Sequence, residues 1–351
     1  MGPHAALVRA CGAGQANRAQ LLRGDPGHRH RRQPGSLIRD RENAVKSSTP
    51  EGISFVIPCF NSGGYLVEAV ESLIQQPHTF PYEVVVVDDG SDDQPTLRAI
   101  SRCAERAEVR IVRQEHSGHH AARNAGINAA SFEYVMQLDA DDRLATAPEL
   151  LEAGSYPDRA VKLLKTHQHV AFVHTMSRMI GDFDGLTISS YPCREELVLR
   201  KHHVPTSIVC RRDNAIHGGL YDPHVRKWGD WAFAVNLLAG RFRRGEANHI
   251  VCIAGPLHEY RVHSRTRRVS NAEISEFDMT MLVVQKNLDL FRHHFNRDDA
   301  AEDITRLVLA SKPSRLVDLI RMAEFDLEQA LTVARQRQFS LSSPFEGLGI
   351  P

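Results

Sequence analysis

Ile53-Ser-Phe-Val-Ile-Pro-Cys-Phe-Asn61 is the stretch on which the fold turns. Its apolar start runs into turn-forming residues at Pro58, which predicts a short buried strand. Leu66, Val70, Leu73 and Ile74 then recur on one face, so a helix is expected over 65–76. Val84-Val-Val-Val87 is a second strand, β-branched throughout, and it runs directly into Asp88-Asp89-Gly90. A helix over 96–106, a strand over 109–113, a helix over 121–130 and a strand over 134–138 complete the pattern. Strands that are continuous apolar runs, alternating with helices, predict an α/β fold. Its central sheet is Rossmann-like, mostly parallel and flanked by helices on both faces.

Beyond Asp139 the pattern is mixed. Strands are expected over 170–180 and 205–211, a helix over 230–239, and extended segments over 250–254 and 259–263. From Ala272 the spacing is helical, with Met281, Val284, Leu288 and Phe291 in phase, then 307–309 and 316–334. This reads as a helical C-terminal appendage, residues 266–351, behind an α/β domain at 51–265. Residues 1–50 are rich in Arg, His, Gly and Pro and lack apolar periodicity, which predicts a disordered basic tail.

The 43 basic and 43 acidic side chains balance, so bulk polyanion binding is not the main task and no nucleic-acid partner is expected. The six cysteines, Cys11, Cys59, Cys103, Cys193, Cys210 and Cys252, show no CxxC spacing. They fit reduced thiols in a cytoplasmic protein rather than a zinc or redox site. No apolar run is long enough to span a bilayer, so any membrane contact is expected to be peripheral.

Three polar clusters fall at strand ends: 58–61, 88–91 and 139–142. In an open parallel sheet ligands bind at the carboxyl ends of the strands, so the three are expected to converge on one crevice. Asp139, Asp141 and Asp142 repel one another unless a cation is near, and a hard divalent ion shared with substrate phosphates would relieve them. A helix N-cap explains the same aspartates equally well. Asn61-Ser-Gly-Gly64 is neither GxGxxG nor a Walker loop, which disfavours a dinucleotide dehydrogenase or a P-loop ATPase. A diphosphate would instead be neutralised by a metal and by cations such as Arg123.

Residues 53–61, Val85-Val-Val-Asp-Asp-Gly-Ser91, Ala122-Arg-Asn-Ala-Gly126 and Leu138-Asp-Ala-Asp-Asp142 together resemble the signature of the family 2 glycosyltransferases of GT-A fold. His217-Gly-Gly-Leu-Tyr-Asp222, Gly229-Asp-Trp231 and Tyr260-Arg-Val-His263 extend the likeness to residue 265. The resemblance implies an enzyme that transfers sugar, with inversion, from a nucleotide-sugar donor, a UDP-sugar first, to a glycan or lipid-linked acceptor. It implies that Pro58, Phe60 and Asn61 border the uridine, with Phe60 where the family more often has Tyr. Asp89 resembles the carboxylate that binds the uracil imide, beside Asp88. Arg123 would face the phosphates, Asp139 the ribose, and Gly218 and Gly219 a sugar, although a helix C-cap also explains the two glycines. Asp141 and His263 match the ligands of a divalent metal, Mn²⁺ or Mg²⁺, and Asp230 matches the catalytic base. The family usually has Glu-Asp where this chain has Gly229-Asp230. A nucleotidyltransferase and a non-catalytic nucleotide-sugar-binding protein are the alternatives.

Overall fold

The computed structural model describes residues 49–182, 184–187, 193–201, 204–263 and 274–313, with scattered positions between 319 and 335. The expected tail lies outside these residues, apart from its last two positions, and so does most of the helix expected over 316–334. The described residues all belong to one compact unit that begins at Ser47.

The first half follows the expected alternation: β1 (Ile53–Cys59), α1 (Tyr65–Ile74), β2 (Tyr82–Asp88), α2 (Gln94–Cys103), β3 (Val109–Arg113), α3 (His119–Ala129) and β4 (Tyr134–Gln137). Then come β5 (Arg143–Leu144), α4 (Pro148–Leu151), α5 (Tyr156–Thr166), β6 (Val170–Gly181), β7 (Gly185–Leu186), α6 (Glu195–Val198), β8 (Val209–Arg211) and α7 (Arg212–Gly218). The chain continues through α8 (Gly229–Arg243), β9 (His249–Val262), α9 (Glu276–Lys286), α10 (Leu288–Phe295) and α11 (Ala301–Ala310). Helix α5 goes beyond the sequence expectations. The Ser155 hydroxyl caps it by accepting from the Asp158 amide, and Pro157 sits in its first turn.

Among the described residues the strands form one sheet in the order β3-β2-β1-β4-β8-β6-β9-β5, with β7 on β6. The half built of β3, β2, β1 and β4 is parallel, as expected. The other half is mixed, because β8 pairs antiparallel with both β4 and β6 while β6 and β9 run parallel. Strand β9 is a single element where two were expected. The expected gap coincides with a register jump, since Thr175 pairs with Ile253 but Ser177 with His258, and Gly255 at φ +114° lies in that bulge.

Alternation along β1 divides the core between the two faces. Phe55 and Ile57 pack under α1, α2 and α5, while Val56 packs on the side of α7 and α8. The C-terminal helices expected from the sequence are present, and they pack on that second layer. Val283, Val284, Leu290, Phe291, Ile304 and Val308 share one cluster with Trp231–Ala239 of α8. Side-chain bonds tie these helices to α8: Asn287 donates to Asn236 at 2.8 Å, and Arg243 forks onto Asp289 at 2.8 Å. Cys59, Cys103, Cys210 and Cys252 are free thiols. No helix among the described residues is long and apolar enough to cross a membrane.

Candidate active site

From β1 the chain winds to β2 and β3 on one side and to β4 on the other, so a crevice opens between β1 and β4 at their carboxyl ends. The three polar clusters at the strand ends border it.

Its floor is an arginine. Arg123, on the second turn of α3, is 5 % exposed. It donates to Asp139 Oδ1 at 2.5 Å through Nη2, and its Nη1 lies 3.7 Å from Asp230 Oδ1. Its guanidinium carbon packs 5.1 Å from the ring centre of Tyr221, itself stacked on Phe233 at 4.3 Å. A single buried cation therefore joins a carboxylate at the end of β4 to one at the start of α8. Burial alone would push the Asp139 carboxyl up, but the guanidinium outweighs it and holds it below the ordinary carboxylate range.

The three aspartates after β4 separate into different roles. Asp141 is partly exposed, and its Oδ2 lies 3.0 Å from His263 Nε2 at the end of β9. Burial, followed by the charge of Asp139, raises its carboxyl, and the nearby imidazole opposes that shift. Asp142 is fully buried. It accepts from the Arg261 amide at 2.8 Å and lies 3.3 Å from His258 Nε2, so it pins β9 to the turn and does not face the crevice. Tyr65 backs the Asp141–His263 pair, with its ring centre 5.2 Å from that of His263 and 4.6 Å from the Arg261 guanidinium carbon.

Pro58, near the end of β1, leads through Phe60 and Asn61 just after it into the opposite wall. Phe60 is 43 % exposed and stacks on the His116 ring at 4.0 Å and 28°. Asn61, at φ +49°, donates to Asp92 at 2.8 Å and accepts from the Asp92 amide, so it ties the turn after β1 to the turn after β2. Asp88 accepts from the Ser91 amide at 2.9 Å. Asp89, expected to meet a base, is 1 % exposed. Its carboxylate accepts from Gln114 Nε2 and from the amides of Ser117 and Gly118, and it lies 3.0 Å from His116 Nδ1. Those bonds fold the segment 114–118 beneath Phe60 and bury the Asp89 carboxylate.

Gly218 and Gly219 have a packing explanation. A Cβ at Gly218 would sit 2.7 Å from the Asn236 carbonyl, so its absence lets α7 lie directly on α8. Gly219, at φ +90°, is the left-handed C-cap of α7.

Asp230 begins α8, and one of its oxygens is buried with no hydrogen-bond partner. The residue two before it, Trp228, has φ +62°, a costly conformation for a bulky side chain. Lys201, almost fully buried, holds that ring at 4.0 Å and also lies 5.1 Å from the Trp231 ring. Gly229 leaves room for His120, since a Cβ there would overlap the imidazole. His120 itself is pushed down to about 3, by burial first and then by His119 and Arg123, and is neutral in use. His116, His119 and His120 are site residues that the sequence reading did not single out. The run His116-Ser-Gly-His-His120 immediately before Ala121-Ala-Arg123 was the available signal.

The Gly229–His120 contact has a measurable consequence. Gly229→Ala is expected to destabilise the protein by about 1–3 kcal/mol through overpacking. Combining it with His120→Ala should recover most of the loss in a thermal-melt double-mutant cycle. Additive losses would show that the two residues do not share this space.

Residues 54–176 match the family model described as glycosyl transferase family 2. An uncharacterised glycosyltransferase of Nostoc sp. is 33 % identical over 232 residues, which cover 63 % of this chain and 67 % of the relative. The uncharacterised glycosyltransferase YwdF of Bacillus subtilis is 27 % identical over 191 residues, 52 % of this chain and 66 % of its own. Chondroitin synthase of Pasteurella multocida is 35 % identical over 107 residues, 30 % of this chain but only 11 % of that protein. The match thus spans from about a tenth to two thirds of the length of these relatives. Among solved structures, S. aureus TarS 1-349 in complex with UDP-GlcNAc is similar with a TM-score of 0.56 at 19 % identity, over 83 % of this chain and 76 % of that one. That likeness is one of fold, and it agrees with the GT-A arrangement expected from the sequence.

Proposed function

Because this chain belongs to the family 2 glycosyltransferases, we propose that it transfers a sugar from a nucleotide-sugar donor to an acceptor hydroxyl with inversion at the anomeric carbon. The observation that carries this reading is the shared guanidinium, with Arg123 held between Asp139 and Asp230 at the floor of the crevice. It brings a donor-side carboxylate and a base of opposite function into one site.

The nucleoside would lie against Phe60, bordered by Pro58, Asn61 and Asp88. Asp89 would act through the segment 114–118, shaping this wall rather than bonding the base. Arg123 keeps Asp139 ionised toward the ribose side. Asp230 would take the proton from the acceptor hydroxyl through its other oxygen, Oδ2: Oδ1 is buried facing Arg123 at 3.7 Å, while the side chain as a whole keeps 29 % exposure. Attack from the Asp230 side, opposite the leaving diphosphate, inverts the anomeric centre. Because Asp is a weak base, orienting the hydroxyl supplies much of the help. Chondroitin synthases among the relatives support a glycan as acceptor.

Asp141 and His263 fit a divalent cation, either Mn²⁺ or Mg²⁺. Among the described residues no three candidate ligands converge. The chain would thus supply one carboxylate and one imidazole, and phosphate oxygens and water the remainder. When bound, such an ion neutralises charge on the diphosphate.

UDP is expected to bind markedly more tightly with Mn²⁺ than in EDTA, and Asp141→Asn should abolish the difference. Calorimetric titration of both proteins measures this, and equal affinity in EDTA and Mn²⁺ overturns the metal assignment. The activity itself is tested by incubating the protein with a panel of UDP-, GDP- and dTDP-sugars and following nucleotide release. Tight binding without turnover of any donor would favour a nucleotide-sugar-binding protein instead.

A further inference from the structure

The turn that opens α8 is strained, and a buried cation lies against it. Trp228 is the N-cap of that helix, and its carbonyl accepts from the Ala232 amide at 3.0 Å. N-cap residues ordinarily have extended backbone, yet Trp228 sits at φ +62° and ψ +34°. A bulky residue keeps that conformation only where its surroundings over-determine it. Asp230, two residues on, owes its place against Arg123 to the path of this turn.

The cation is Lys201, just after α6 and itself left-handed at φ +62°. Its ammonium donates to Thr280 Oγ1 at 2.7 Å and lies 3.1 Å from Glu276 Oε1, both on α9. Its remaining side faces the rings of Trp228 at 4.0 Å and Trp231 at 5.1 Å. The Val198 carbonyl accepts both from the Lys201 amide at 3.0 Å and from the Trp231 indole at 2.7 Å, so the end of α6 and the first turn of α8 share one anchor. Lys227 lies 5.0 Å from the other ring contact, Trp228, and Glu276 also pairs with Lys312 at 2.7 Å. Burial pulls the Lys201 amine down to about 8; Glu276 opposes this, and Lys312 and Lys227 add to it. A charge that its surroundings disfavour adds little to stability, so its presence beside a strained turn points to a functional role.

We propose that Lys201 is a positioning residue for Asp230: its ammonium clamps the Trp228 ring, holds the turn in its left-handed form and so keeps the carboxylate aimed at the acceptor hydroxyl. The inference rests on Asp230 being the base. Lys201 touches neither donor nor acceptor in this role and acts through Trp228 alone. As pH rises through about 8 the ammonium loses its proton, and the clamp loosens with it.

The test has two readouts on the full chain. The first is tryptophan emission, which needs no turnover because Trp228 and Trp231 are the chain's two tryptophans. Emission should titrate near pH 8 in the wild type and lose that step in Lys201→Met. The second is nucleotide release from a donor of the panel above, measured beside UDP affinity and melting temperature. Lys201→Met leaves Glu276 with Lys312 and should lower kcat about tenfold, with donor KM, UDP affinity and melting temperature nearly unchanged. Trp228→Leu should do the same, and the double variant should lose no more than either alone. Lys201→Arg, which keeps a cation, should recover most of the rate. The proposal is overturned if wild-type emission shows no step near pH 8, if the two losses multiply in the double variant, or if Lys201→Met keeps the wild-type kcat while Asp230→Asn loses it. Wild-type turnover in Asp230→Asn would instead remove the base itself, and this inference with it.

Discussion

Asp230→Asn is expected to lower sugar transfer by about a hundredfold or more while leaving melting temperature and UDP affinity nearly unchanged. Asp230 is the first acidic residue of α8, so a purely structural role at the positive end of the helix dipole competes with the catalytic one. Its contacts give the capping role little support. Asp230 makes no side-chain capping bond, since the residue before the helix is Trp228 and no side chain caps it there. One of its oxygens instead faces Arg123 at 3.7 Å, without a hydrogen bond. Asn preserves the volume but cannot accept the proton. Transfer to a competent acceptor, measured beside calorimetric UDP binding on the same preparation, decides the matter. A variant within a few-fold of wild type would leave the proposed mechanism without a base.

Arg123→Met should have the largest effect on stability. The substitution keeps the length of the side chain but strips two carboxylates, Asp139 and Asp230, of their cation. Breaking a buried pair by removing one partner costs about 3–5 kcal/mol. Both carboxylates keep some solvent contact, so the lower end applies, about 3 kcal/mol. At about 2–4 °C per kcal/mol for a domain of this order, the melting temperature should fall by about 6–12 °C. Arg123→Lys retains the charge without the planar fork and should recover part of the stability but little of the activity. Calorimetric melts of the three proteins provide the check, and an unchanged melting temperature in Arg123→Met would show that the guanidinium does not hold the two carboxylates.

The candidate site was legible only in part. Asp141 and His263 meet as the resemblance implies, and Arg123 contacts Asp139 and Asp230 together. Asp89 and Asp142 look in sequence like their neighbours, yet both are buried and bonded to other parts of the chain. Segment 114–118 encloses the first, and strand β9 covers the second. Gly229 stands where the family more often has Glu, and the structure shows that the space is taken by His120, on a helix more than a hundred residues earlier.

What the sequence by itself determined is local. The largely apolar run at 53–57 and the β-branched run at 84–87 fit interior strands, and turns rich in Asp, Asn and Gly end them at one edge of the sheet. This was enough for β1 to β4, for the parallel half of the sheet and for the place of the crevice. What only the tertiary structure decided is which distant segments share a surface. Strand β8 is inserted between β4 and β6, and the last helices join the core of α8. Periodicity records which face of an element is buried but not what buries it. A carboxylate therefore becomes a ligand, a base or a strut through partners contributed by chain remote in sequence.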